Sequence, residues 1–293
     1  MNKLKEVFRV YRSAYRNWPS VLLNLALRGR ARAVTMDGRV VEGDDVLLGA
    51  IARQLAMRSH LRCCEIVEVS GNSNYHVTIR VGDRKALLYG WRAVTILELD
   101  DYIVLDVRGK SVLDVGAFVG DSAVLFALMG ARRVVAVEPS PWAYGMAKKN
   151  VEANGLGDVI TLVNCAVARE DGRVLMLPSG EIDSAFRVMA DVSGDVPVPT
   201  CTLDSLIERF GPFDVMKMDC EGCEHESIPY SRRIGEVKEI LIEYHGGYED
   251  IVEKLRGEGF RNLKFSGIYE GGRLCDRPID AKQGYIYASK NSV

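Results

Sequence analysis

The chain has 293 residues, 47% of them hydrophobic, and a formal net charge of −2. That is enough apolar material for a full core, in one large domain or in a domain with an extension. No apolar run approaches the roughly eighteen residues that span a bilayer; Val21 to Leu27 comes nearest and is far too short. The N-terminal charges interleave with apolar residues, unlike a signal peptide, so a cytoplasmic protein is expected, at most peripheral to a membrane. Arginine outnumbers lysine 26 to 12 and glutamine occurs twice, a balance suggestive of a thermophilic source. The 7 cysteines are odd in number and read as small buried hydrophobes. Cys220-x-x-Cys223 lacks the second pair that a structural zinc site needs, so neither metal nor redox use is expected of it.

At the start, Leu4, Val7, Phe8, Tyr11, Tyr15 and Trp18 recur at three- and four-residue steps. They predict one amphipathic helix ending near Trp18-Pro19. Residues 1–33 carry Lys3, Lys5, Arg9, Arg12, Arg16, Arg28, Arg30 and Arg32 against Glu6 alone. The helix packs on its own domain or on a second subunit. The alternatives are a basic face lying on a membrane surface or a lipid-linked substrate, or one docking on RNA. Residues 34–109 read as an accessory cap. Ala33–Val41 centres on Asp37-Gly38, a hairpin signal; Asp44 caps a helix running to about Met57; Glu65–Ser70 and Tyr75–Val81 are strand-like, joined by residues 71–74. No enzyme motif stands out there.

From residue 110 the pattern changes to alternating strands and helices, as in an α/β fold with a doubly wound parallel sheet. Strands are predicted near 111–116, 133–138, 158–165, 213–219, 237–244, 260–266 and 284–289. Helices are predicted near 120–129, 141–154, 203–210 and 248–258. Between the third and fourth strands, Arg173–Pro178 and Ser184–Thr202 predict a hairpin and a loop over the site. Right-handed crossovers place the strand ends along one edge of the sheet. The first strand ends in Asp114-Val-Gly116-Ala-Phe-Val-Gly120, and the second in Glu138. A carboxylate about twenty residues past the glycines suits ribose hydroxyls. An acidic residue just before the turn would repel a pyrophosphate and favours a cationic sulfonium. That points to S-adenosylmethionine rather than a nicotinamide dinucleotide.

Further blocks follow: Glu138-Pro139-Ser140-Pro141, Asn150-x-x-x-Asn154, Thr202-Leu203-Asp204, Lys217-Met-Asp219-Cys-Glu221-Gly222-Cys-Glu224, and Ile242-Glu243-Tyr-His245. In this order and spacing the set closely resembles the FkbM family of S-adenosylmethionine-dependent methyltransferases, over about residues 105–265. Two positions depart from the family pattern: Phe118 stands where asparagine is usual, and Cys223 where alanine is. The resemblance implies a class I methyltransferase fold, a Rossmann-like doubly wound seven-stranded sheet. Residues 110–293 would form that domain behind an N-terminal α+β accessory region.

Asp114, Gly116, Ala117 and Gly120 are expected to line the methionine part of the cofactor, with Phe118, Asp121 and Ser122 in the same turn. Glu138 should hold the ribose, flanked by Pro139 and Ser140. Asn164, Cys165 and Ala166 should border the adenine. Asp219 sits at the tip of the fourth strand, nearest the methyl group, so Asp219 or Glu221 is expected to orient or deprotonate the acceptor. Lys217 pairs with a carboxylate. Glu243 and His245 complete the site, with His245 as a possible base. No metal is assigned, although Asp219, Glu243 and His245 could converge on a divalent ion. Ser184 falls in a loop over the cofactor, and Asp204 caps its helix. An exocyclic base amine would need an N/D-P-P-Y/F loop after the fourth strand; Asp219-Cys220-Glu221-Gly222 stands there instead, against nucleobase N-methylation. The expected acceptor is a hydroxyl on a sugar, glycolipid or small metabolite. RNA or protein methylation and a non-catalytic cofactor-binding scaffold remain alternatives.

Overall fold

A computed structural model of the chain describes residues 2–36, 38, 40–43, 48–49, 51–52, 63–70, 76–90, 95–182, 194–268 and 272–290. Asp37, Asp44, the 71–74 link with Tyr75, most of the helix expected to reach Met57, and the loop holding Ser184 lie outside them.

The N-terminal part begins with two helices, α1 (Asn2–Ala14) and α2 (Trp18–Arg28), where one was expected. Pro19 does not close the first helix. It sits in the opening turn of the second, where its missing N–H costs nothing and its fixed φ favours the helix. Strands β1 (Ala31–Val34) and β2 (Val40–Gly43) then form the expected antiparallel hairpin. Tyr11, Ala14, Tyr15, Val21, Ala33 and Val41 gather into a cluster of their own with Leu48 and Ile51. Of the predicted stripe, Tyr11 and Tyr15 are buried, whereas Val7 and Phe8 stay exposed.

Next come β3 (Glu65–Ser70), β4 (His76–Val81) and β5 (Arg84–Tyr89), an antiparallel sheet, and α3 (Thr95–Tyr102). The alternating part follows as β6 (Ser111–Val115), α4 (Asp121–Leu128), β7 (Arg133–Val137), α5 (Pro141–Ala153) and β8 (Ile160–Val163). It continues through β9 (Ala166–Val167), β10 (Val174–Leu177), β11 (Val196–Cys201), α6 (Leu203–Phe210) and β12 (Val215–Met218). It closes with α7 (Cys223–Ser227), β13 (Glu239–His245), α8 (Glu249–Gly257), β14 (Asn262–Ser266) and β15 (Gln283–Ser289).

The main sheet has seven strands in the order β14-β15-β13-β12-β6-β7-β8. Its strands are parallel except β15, which runs antiparallel to both β13 and β14. This is the class I methyltransferase arrangement expected above. Period-2 alternation divides the core. Val112, Val134, Ala136, Val215 and Leu241 face one layer, with α4 and α5; Leu113, Val135, Met216, Ile240 and Ile242 face the other, with α6 and α8. The first layer also takes in Val77, Ile79, Ala86, Leu88, Leu99 and Tyr102 from the segment before residue 110.

The two asparagines of the N-x-x-x-N block make this junction. They lie one turn apart, Asn150 in α5 and Asn154 capping its C-terminus, and each side-chain amide both accepts from and donates to the backbone of edge strand β5. Asn150 bonds Tyr89 N and O at 2.7 and 3.0 Å; Asn154 bonds Leu87 N and O, both at 2.7 Å. Edge groups that would otherwise need water are thereby satisfied.

Candidate active site

Strand β6 leads into the glycine turn. Gly116 has φ +75, and a Cβ there would lie 1.6 Å from the carbonyl oxygen of Asp219. Only glycine permits that approach, which sets the turn directly against the tip of β12. Phe118 also has positive φ, +46, a conformation that asparagine tolerates and a bulky aromatic does not favour. Its ring meets Trp142 at 6.0 Å between centroids, and its N–H donates to Glu138 Oε2 at 2.8 Å. The Ser140 N–H donates to Glu138 Oε1, also at 2.8 Å. Glu138 thus pins the turn after β6 to the turn after β7. Burial pushes its carboxyl up to about 7, and the two N–H bonds offset only part of that.

Asp114 and Lys217 are register partners on β6 and β12. The Lys217 ammonium lies 3.3 Å from Asp114 Oδ1 and donates to the Gly116 carbonyl at 2.7 Å. Ser122 Oγ donates to Asp114 Oδ2 at 2.6 Å. Burial raises the Asp114 carboxyl despite the lysine, whereas for Lys217 the nearby Asp114, Asp219 and Asp121 charges outweigh burial and raise it. Asp114 and Ser122 are thus buried against each other and against Lys217, next to the glycine turn. Asp121 lies in the buried first turn of α4, which Gly120 opens with φ +80.

At the tips of β12 and β13 the charged groups of the two C-terminal blocks meet. Asp219 Oδ2 accepts from Tyr102 Oη at 2.7 Å. Burial first, and the Glu243 charge second, push its carboxyl up to about 6. Burial also acts on Glu243, but the approach of His245, with Tyr285 and Gln283, outweighs it and holds that carboxyl below its ordinary value. His245 Nε2 is 3.3 Å from Glu221 Oε2 and 3.5 Å from Glu243 Oε1. Its Nδ1 is 3.1 Å from Glu224 Oε1, which also accepts the His245 backbone N–H at 2.8 Å. Burial pushes the imidazole down, but the Glu224 and Glu243 contacts and the Glu221 charge prevail and lift it to about 10. With no cation between them, these carboxylates favour the charged imidazole over the neutral one. Glu221 itself has φ +55, next to Gly222.

A pocket beside the turn is lined by Gly116, Pro139, Cys165, Ala166, Cys220 and Glu221. Asn164 donates to the carbonyls of Glu138 and Pro139 at 2.8 and 3.0 Å, so its amide supports the turn that carries Glu138. The cysteines depart from the sequence reading. Cys165 is bonded to Cys201, and Cys220 to Cys223, while Cys63, Cys64 and Cys275 are free. Asp204 differs as well. Thr202 and Ser205 cap α6 reciprocally, and Asp204 instead accepts Ser231 Oγ at 2.6 Å and the Arg232 N–H at 3.0 Å.

Two contributors escaped the sequence reading. Tyr102 comes from the segment where no motif was seen. Glu224 lay within the quoted block, and its two-residue offset from Gly222 explains the bond its Oε2 accepts from the Gly222 N–H at 2.9 Å.

The residues present fit an adenosyl sulfonium. Gly116 lines the pocket beside the turn, Glu138 offers a carboxylate for ribose, and the carboxylates at 219, 221 and 243 suit positive charge. A profile of the methyltransferase FkbM domain matches residues 114–262.

The chain belongs to the FkbM methyltransferase family. The matched residues form a methyltransferase domain of the kind that uses S-adenosylmethionine. Over 95 residues this FkbM chain is 27% identical to a ribosomal protein L11 methyltransferase of Sodalis glossinidius (strain morsitans), a match covering 32% of each protein. The chain thus spans about a third of the length of that curated relative. Among solved structures it is similar to the METTL16 methyltransferase domain, with TM-score 0.44, 14% identity, 96% of this chain and 98% of that one. It is also similar to precorrin-6y C5,15-methyltransferase from Geobacter metallireducens GS-15, with TM-score 0.40, 13% identity, 68% of this chain and 87% of that one. Among the described residues no helix is long and apolar enough to cross a membrane.

Proposed function

We propose that the enzyme methylates a hydroxyl group on a sugar, glycolipid or other small metabolite. The observation that carries this reading is Asp219: a carboxylate beside the glycine turn, held by Tyr102 and raised to about 6. S-adenosylmethionine, when bound, supplies an electrophilic methyl group. Gly116, Glu138 and the turn between them hold and orient it. Asp219 would accept the proton of the acceptor hydroxyl as that oxygen attacks, and the donor's S–CH3 bond would break with the sulfur leaving as a neutral thioether. A carboxyl near 6 is mostly ionised at neutral pH, and so ready to take that proton. Lys217 keeps the turn and the strand tip in register.

The N-terminal segment supports a lipid-linked acceptor as one form of this substrate. Arg9, Arg12, Arg28, Arg30 and Arg32 are exposed, alongside the exposed apolar residues Phe8, Leu23 and Leu27. Basic groups interleaved with exposed apolar ones suit an anionic lipid surface.

The test is to supply a methyl-labelled donor with separate pools of oligosaccharides, glycolipids, RNA and protein, and to identify the labelled product. Label in an ether-linked methyl on a sugar or small hydroxyl compound is the expected outcome. Label confined to RNA or to a protein nitrogen would overturn the reading.

A further inference from the structure

Asp219, Glu243 and His245 each present a ligand atom, and these atoms lie within 4.8 Å of one another. A cluster of carboxylates alone would mean little, but the histidine adds an independent observation. His245 is only 7% exposed, and its Nε2 is fully buried without a hydrogen-bond partner. A carboxylate on the other side fixes which nitrogen faces the cluster. Glu224 is 0% exposed and, being an acceptor, makes Nδ1 the donor at 3.1 Å. Nε2 is then aimed at Glu221 and Glu243, 3.3 and 3.5 Å away. The Nε2 proton faces these oxygens without a hydrogen bond in line, and a metal ion that replaces it can bond imidazole and carboxylate together. A cation with directional bonds to both imidazole and carboxylate satisfies all of them.

We infer that Asp219, Glu243 and His245 bind one divalent metal ion, with Glu224 as the buried carboxylate that orients His245. The Glu224–His245 pairing is the outer arrangement that metal-binding imidazoles commonly use, fixing ring orientation and leaving the other nitrogen for the ion. Two carboxylates and one imidazole suit a borderline first-row ion such as Mn2+ or Zn2+ better than Ca2+. Glu221, 3.3 Å from Nε2, stands beside the cluster, placed to hold a metal-bound water. The ion's purpose rests on the hydroxyl reading above: coordinated to the acceptor oxygen, it lowers the pKa of that hydroxyl and holds it in line with the methyl group. Its binding does not rest on that reading.

The experiment is titration of Mn2+ into the full chain after chelator treatment, without donor or acceptor, with free Mn2+ read by its paramagnetic resonance signal. One ion per chain is expected. His245→Ala should weaken binding at least tenfold. Glu224→Gln, which leaves all three ligands in place, should weaken it about 10–100-fold. Equal binding by wild type and both variants, or none by wild type, overturns the inference. Should His245→Ala fail to fold, Co2+ added to the wild-type chain decides. Visible absorption together with paramagnetically shifted imidazole protons supports the site, and their absence overturns it. Failure of Mn2+ to bind leaves the hydroxyl reading standing on Asp219, and a nitrogen-methylated product leaves the ion-binding result intact.

Discussion

Replacing Lys217 by Met removes the cation beneath the glycine turn. In the folded chain Lys217 is 2% exposed, 3.3 Å from Asp114 Oδ1 and bonded to the Gly116 carbonyl at 2.7 Å. Met matches the stem in length but leaves Asp114, at 0% exposure, with the Ser122 hydroxyl still donating to it and no cation beside it. Breaking a buried ion pair from one side costs about 3–5 kcal/mol, because the remaining charge is uncompensated. Asp114 is already raised by burial, so it can relieve part of the cost by taking up a proton. The second replacement, Asp114→Asn, removes the charge altogether. The double variant should therefore recover at least about 1 kcal/mol relative to the sum of the single losses. The assay is chemical denaturation at neutral pH for wild type, both single variants and the double, closed as a double-mutant cycle. A Lys217→Met loss below about 1 kcal/mol, or no coupling in the cycle, would refute the claim that this pair holds the turn.

Three further outcomes follow from the same geometry. Gly116→Ala should abolish methyl transfer and lower stability by about 2 kcal/mol or more, because the new Cβ falls 1.6 Å from the Asp219 carbonyl oxygen; normal activity would show that the turn and the strand tip are not in contact. Glu138 titrates near 7, above its ordinary 4.5. Only the ionised form accepts ribose hydroxyls with both oxygens, so calorimetric affinity for the donor should rise between pH 6 and pH 8. Glu138→Gln should flatten that dependence, and a dependence that persists in Glu138→Gln would assign it to another group. The stability effect has the opposite sign: ionising a buried carboxyl whose folded value exceeds its unfolded one costs the fold progressively as pH rises from about 4.5 through 7. Asn150→Leu should strip the β5 edge of its amide partner, destabilising the chain by about 2 kcal/mol and increasing hydrogen exchange at Tyr89; unchanged exchange there would contradict the role given to this motif.

The main sheet was legible because its strands are apolar runs buried on both faces, separated by helices with clear starts. Thr202 and Pro141 mark helix openings in the sequence, and the structure begins α6 and α5 at Leu203 and Pro141. Pro19 misled for a related reason: the same residue that stops one helix can start the next. The cysteine pairs were not legible by pattern. Cys165 and Cys201 are 36 residues apart, and they meet because β9 and β11 pair in parallel, a contact no local signal announces. The charged residues of the site could be named from their blocks, but their protonation could not. His245 alone reads as a base; Glu243 on β13, Glu221 on the turn before α7 and Glu224 within α7 favour its charged form. Tyr102 was invisible because a tyrosine on a short helix carries no motif, and its role follows from α3 packing Tyr102 beside Phe126 of α4 and Tyr285 of β15.

The most direct test of the account is a crystal structure with the demethylated donor product, S-adenosylhomocysteine. The account predicts ribose hydroxyls on the Glu138 carboxylate, the homocysteine chain across Gly116 and Ala117, and the sulfur facing Asp219. A product bound elsewhere, with Glu138 bonded to Phe118 and Ser140 alone and the Gly116 turn uncovered, would contradict it.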